Sequence, residues 1–130
     1  MIVNKDNIRN LLIDSIHSNI EAKEFFERNV KNEKVLNLLV QCAIGDYSND
    51  ARMEAAYWIS KFNKDILKTV ENELLKIQKD ELDSIACHVF VALGKIKSKE
   101  GLKYLIESRI KPTLYWEAQA LKFYFENFLE

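Results

Sequence analysis

The chain has 130 residues, 48% of them apolar and 30% charged, a composition that excludes a disordered tract and suits one domain spanning residues 1–130. Its 19 basic residues nearly balance 20 acidic ones, leaving a net charge of -1, so no overall field draws it toward nucleic acid or anionic lipid. One proline and three glycines disfavour a turn-rich all-β architecture, and the sequence predicts an all-α fold.

Asn4 or Asp6 is placed to cap a first helix running to about His17, with Ile8, Leu11, Leu12 and Ile16 on one face. A second helix starts at Ser18 or Asn19, turns Ala22, Phe25 and Phe26 inward, and ends at a break over residues 29–32. A third, from Glu33 to Ile44, buries Val35, Leu36, Leu38, Leu39, Cys42 and Ala43 and is expected to stop at Gly45 in a left-handed conformation. The stretch GDYSND reads as a loop. Helices then follow from Asp50 to Phe62 and from Asp65 to Gln78, the latter with Leu67, Val70, Leu74 and Ile77 as its stripe.

Residues 82–96, LDSIACHVFVALGKI, form the organising helix. At about 100° per residue, Leu82, Ile85, Ala86, Val89, Phe90, Leu93 and Ile96 make one broad stripe while Cys87 and Val91 sit on the opposite flank. Such a helix has to be covered on more than one side. A further helix runs from Lys99 to Ile110 with Leu102, Leu105, Ile106 and Ile110 inward, Pro112 breaks the chain, and a last helix runs from Leu114 to about Leu129.

The helices carry a repeat. Aligning Glu21-Ala22, Glu54-Ala55, Ala86-Cys87 and Glu117-Ala118 gives spacings of 33, 32 and 31 residues, each pair early in a helix that precedes large apolar residues. One antiparallel helix pair cannot bury its own apolar sides, whereas stacked pairs share a continuous core. Ala92-Leu93-Gly94-Lys95-Ile96, together with Arg52, Ala55 and Ala56, resembles the short bacterial type of HEAT repeat over about residues 49–111. Ala86 stands where that pattern has an Arg, and the first and last units match it only in apolar rhythm. The resemblance implies an α-α superhelix, a HEAT-like solenoid of about four helix pairs, and carries little about function, because HEAT repeats serve many.

No constellation for catalysis is visible. His17 and His88 lie in separate helices without a Cys, Asp or Glu at ligand spacing, and no His-Glu pair like those of metal-dependent HEAT-like hydroxylases occurs. Gly45, Gly94 and Gly101 are isolated, so there is no phosphate loop, and Ser48, Ser60 and Ser84 have no accompanying His and acid. Cys42 and Cys87 are far apart and set in apolar helices, which reads as two buried thiols in a reducing compartment. With charges at Asp6, Arg9 and Asp14 and no apolar run of about 18 residues, the expectation is a cytoplasmic protein with no membrane span, no catalytic residues, no metal and no cofactor. HEAT-like DNA glycosylases hold DNA in a basic groove, but Glu71, Glu73, Glu100 and Glu107 interrupt the lysines of the second helices here, so nucleic acid is not the expected partner.

Protein recognition remains. In a helix-pair solenoid the second helices line the concave side, and the positions opposite their apolar stripes are Asn37 and Gln41, Lys68 and Asn72, and Tyr104 and Glu107. On the last helix Leu114, Ala118, Leu121, Phe125 and Phe128 face inward, while Trp116, Ala120 and Phe123 form a second apolar line suited to a partner or to a homodimer. Tyr57 and Trp58, in the apolar context AAYWI, read as core and repeat-interface aromatics. A small array of this kind is similar to the HEAT-like immunity proteins of toxin-immunity pairs, which implies one protein partner, a toxin domain whose active site is covered. A HEAT-repeat adaptor or accessory subunit that positions a partner is the alternative.

Overall fold

A computed structural model describes residues 3–46, 48–80 and 82–109, together with Lys122 and Glu126. Its α-helices are α1 (Lys5–Ile16), α2 (Ile20–Arg28), α3 (Glu33–Gly45), α4 (Asn49–Ile59), α5 (Lys64–Leu67), α6 (Glu71–Ile77), α7 (Asp83–Lys95) and α8 (Lys99–Tyr104). A 3-10 turn, Lys68–Val70, joins α5 to α6, and a π-helical turn, Leu105–Arg109, follows α8. No strand occurs among the described residues. The last predicted helix, with Trp116 and Phe123, lies outside them.

Short polar side chains start six of these helices, all but α6 and α7. Asn4 accepts from the amide of Asn7 at 2.9 Å, Asn19 from Ala22 at 2.9 Å and Asn32 from Val35 at 3.1 Å. Ser48, Asn63 and Ser98 do the same for α4, α5 and α8. Each cap satisfies an amide that the helix leaves without a partner and is worth about 1 kcal/mol.

Two helices stop in an unusual way. Ser18 after α1 and Lys97 after α7 hold φ of 63° and 55°, left-handed values that glycine adopts far more readily. Around them Asn19 N–H donates to Asp14 O and Ser18 N–H to Ser15 O, and Ser98 N–H donates to Leu93 O and Lys97 N–H to Gly94 O. Both are Schellman turns. In each, the next residue, Asn19 or Ser98, is also the N-cap of the following helix.

Gly45 does not behave as its position in the sequence suggests. It is the last residue of α3, and no glycine has positive φ. The stop comes instead from Asp46, whose carboxylate accepts the Ser48 amide at 2.8 Å and pairs with Arg9 at 3.1 Å. The side chain of Asp46 thus supplies the turn that a left-handed glycine would have made.

The helix predicted over 65–78 is interrupted. Thr69 donates its hydroxyl to the Ile66 carbonyl at 2.7 Å, and the β-branched pair Thr69-Val70 sits where the chain tightens to 3-10 geometry. Leu67, Val70, Leu74 and Ile77 are nevertheless all buried, so the stripe survives the break.

α4 packs against α1, α3 and α7, and α7 against α4, α5, α6 and α8, while α3 also reaches α6. Small side chains at Ala51, Ala55 and Ala56 let α4 approach its neighbours closely, and all three are fully buried. Ile85, Ala86, Val89, Phe90, Ala92 and Leu93 are likewise buried on α7, and Cys87 nearly so. The many-sided apolar character of residues 82–96 therefore corresponds to a helix enclosed by four others. Ring stacking of Phe26 on Trp58, with centroids 5.2 Å apart, ties α2 into the same core.

Three links bind elements distant in sequence. Arg9 of α1 pairs with Asp46 before α4, and Arg52 of α4 pairs with Asp80 before α7. Asp80, like Asp46, also accepts the amide two residues on, from Leu82 at 2.9 Å. The Lys95 ammonium donates to the carbonyls of Ser60 and Phe62 just beyond α4, groups that the helix end leaves without intrahelical donors.

Candidate interaction surface

α4 carries a hydrogen-bonded polar group shared with α1. Ser15 donates its hydroxyl to Glu54 Oε2 at 2.5 Å. Trp58 Nε1 donates both to Ser15 Oγ, at 3.1 Å, and to Glu54 Oε2, at 3.2 Å. Ser15 and Trp58 are buried and Glu54 is half-buried, so one carboxylate oxygen is locked from below by two donors on α1 and α4. Charge-assisted bonds of this kind are stronger than neutral ones and hold the side chain in one rotamer.

Aromatic rings extend the group. Tyr57 meets Trp58 edge-on at 5.1 Å and His88 of α7 edge-on at 5.6 Å, and the Lys61 ammonium lies 5.1 Å from the Tyr57 ring centre. Burial lowers the His88 pKa, and Lys61 lowers it further, against a smaller opposing pull from Glu54. The imidazole is thus held toward its neutral form.

Two concavities flank this group. One, of about 360 Å³, is bounded by Ser15, Lys23, Glu27 and Trp58, and the other, of about 260 Å³, by Asp50, Met53, Ser84 and His88. Both share Ile16, Glu54 and Tyr57, so they form one groove crossing α4 from the α1–α2 side to α7. Ile16, which lines both concavities, is exposed, and so is Ile20 at the start of α2, at 71%. Fixed aromatic and charged anchors beside exposed aliphatic side chains are what a protein-recognition surface requires.

The residues predicted for partner contact lie elsewhere. Asn37 and Gln41 are exposed on α3, Lys68 on the 3-10 turn and Asn72 on α6. Tyr104 and Glu107 come together at a concavity of about 270 Å³ between α6 and α8, with Leu75, Gln78, Lys79, Glu100 and Lys103. Tyr104 is not the outward ring expected: it is half-buried, packs on the core and has the Lys79 ammonium 5.9 Å from its centre. Ile106, expected inward, is 54% exposed. The inward line of α8 is set by Gly101 and Leu105, both buried, and Gly101 has no side chain to register in an apolar pattern. Of the residues expected inward, Leu105 is buried and Leu102 packs on the core, so the departure is at Ile106, which lies in the π-helical turn, while Ile110 lies outside the described residues.

Sequence reading missed Ser15, Glu54, Tyr57 and His88 as a group. The i,i+4 spacing of Glu54 and Trp58 on one face of α4 was visible, but Ser15 and His88 reach them only through the packing of α1 and α7. Cys42 is buried, with its pKa raised to about 12, first by desolvation and then by the charge and hydrogen bond of Asp46. Among the described residues no group of three His, Cys, Asp or Glu stands close enough to hold a metal ion, and no helix is long and apolar enough to cross a membrane. Comparison with protein-family models, with curated proteins and with solved structures finds no match to this chain.

Proposed function

We propose that the chain is a non-catalytic protein-binding module, a HEAT-like α-α solenoid that serves as the immunity half of a toxin-immunity pair by binding one toxin. The solenoid reading is supported by the recurrence of one device. An Arg on one helix clamps an Asp in a loop further along the chain, as Arg9 with Asp46 and Arg52 with Asp80, and each Asp also accepts the amide two residues later. The same link made twice, first into α4 and then into α7, is what stacked, similar units produce. Consecutive packing of α1 on α4 and α4 on α7 is in keeping with it.

The observation that carries the binding reading is the groove over α4, where Glu54 is fixed by Ser15 and Trp58 beneath Tyr57. A side chain already held in one geometry loses little entropy on association. The test is a tagged pull-down at moderate salt from the native cells. Wild type is expected to retain one dominant protein in stoichiometric amount, and E27R/D50R, which reverses two exposed charges lining the groove, is expected to release it. N37R/Q41R, on exposed α3 positions, reports on the other face. An empty pull-down, or many weak bands, would sink the single-partner reading. For the immunity reading, the captured protein should be toxic when expressed alone and harmless when co-expressed with this chain; killing of cells that make both would remove it.

A further inference from the structure

We infer that the concavity at the end of α4 is an anion-binding site that seats a carboxylate-rich segment of the protein partner. It encloses about 440 Å³ and is lined by Lys31, Lys61, Lys64 and Lys95 with Val30, Phe62 and Asn63, and no carboxylate lines it. The four lysines come from the α2–α3 loop, the α4–α5 turn with the first residue of α5, and the end of α7. In a chain of net charge -1, this is a local concentration of one sign that the sequence does not display.

The site is built rather than casual. Asn63 N–H donates to the Val30 carbonyl at 3.0 Å, which staples two of the three segments together. Lys95 is half-buried and anchored on the Ser60 and Phe62 carbonyls, which fixes the third. Asn63 spends its side-chain oxygen on the Asp65 amide, so its NH₂ group remains as a neutral donor. None of the four lysines is in a salt bridge among the described residues. Burial, and then the neighbouring charge of Lys61, lowers the Lys95 pKa. An anion in the concavity would offset both effects.

Carboxylate is favoured over nucleic-acid phosphate by two features. The cations form a patch and not a track, whereas a polynucleotide gains affinity from each further phosphate it neutralises. No aromatic ring is open there for base stacking, since Phe62 is fully buried. The inference rests on the protein-binding reading for the identity of the ligand, but its test does not need the native partner.

A fluorescein-labelled oligoglutamate peptide is titrated into the intact chain, with a glycine-serine peptide of equal length and an oligothymidylate as comparisons. Two-dimensional amide NMR should show shifts centred on Lys31, Lys61, Phe62, Lys64 and Lys95, and fluorescence anisotropy should give binding that weakens as salt rises. The variant K31Q/K64Q leaves Lys95 on the Ser60 and Phe62 carbonyls and Lys61 over the Tyr57 ring, and should keep the wild-type melting temperature while binding the peptide about tenfold more weakly, or worse. Absence of shifts at these amides, equal binding by the double variant, equal binding of the uncharged peptide, or tighter binding of the oligothymidylate would each overturn the inference. Should the pull-down identify a partner while oligoglutamate fails here, this site falls and the protein-binding reading stands. Peptide binding at the lysines with an empty pull-down would mean the reverse.

Discussion

His88 couples the α4–α7 contact to pH. Its folded pKa is below the ordinary 6.5, because desolvation and Lys61 disfavour the imidazolium. The unfolded chain therefore takes up a proton before the folded one does, so stability is full above about pH 7 and declines as pH falls through 6.5 toward the depressed value. Denaturant midpoints measured across that window should fall for wild type and stay flatter for His88→Gln; parallel curves would remove His88 as the cause. Gly45 gives a second test at this scale. A Cβ added there would meet nothing within 4 Å, and φ is not positive, so Gly45→Ala should stabilise by about 0.5–1 kcal/mol through helix propensity and a less disordered unfolded chain. A left-handed Gly45, as its place after an apolar helix suggested, would make the same substitution destabilising. The difference was not legible because a glycine at a helix end is usually a left-handed cap, and only the contacts of Asp46 reveal the substitute.

Helix positions were written plainly in the sequence, since apolar spacing and Asn or Ser caps are local signals. The ends of α1 and α7 are less so. Ser18 and Lys97 carry side chains in a conformation that costs L-residues about 1 kcal/mol or more. Lys97→Gly and Ser18→Gly should each raise stability by about 0.5–1 kcal/mol, read by equilibrium denaturation. Loss of stability in both would mean that these side chains make contacts outweighing the backbone strain. The break before α6 and the outward turn of Ile106 escaped prediction for related reasons. A Thr hydroxyl competing for a carbonyl before α6, and a π-helical turn over Leu105–Arg109, change the backbone in ways that an apolar stripe does not record.

Across the whole molecule, links between distant elements decide how the helices sit on one another. Arg52 and Asp80 shield each other to 16% and 17% side-chain exposure, and Arg52 also donates to the Ala43 carbonyl at 2.9 Å. Arg52→Ala should cost about 2 kcal/mol, and a double-mutant cycle with Asp80→Ala should recover a coupling of about 1 kcal/mol or more. Additive single effects would show that the pair is incidental. No spacing rule pairs Arg52 with Asp80, Ser15 with Glu54, or Lys31 with Lys64 and Lys95; each pairing exists only once the chain is folded. That is why the all-α class was legible and the groove and lysine concavity were not.

Cys42 and Cys87 lie on α3 and α7, helices that both pack on α4, and both are buried. A thiol must reach solvent and ionise before an alkylating reagent captures it, and Cys42 does neither while folded. The two sulfurs are therefore clocks set in different parts of the same molecule. Alkylation followed by peptide mass spectrometry would time each one separately. Since α4 packs on both helices, the two clocks should run together at every denaturant concentration, the signature of a chain that opens as a unit. If Cys87 is captured while Cys42 is still protected, the end of the molecule bearing α7 comes away first, and a partner seated there would be gripping the part that is quickest to let go.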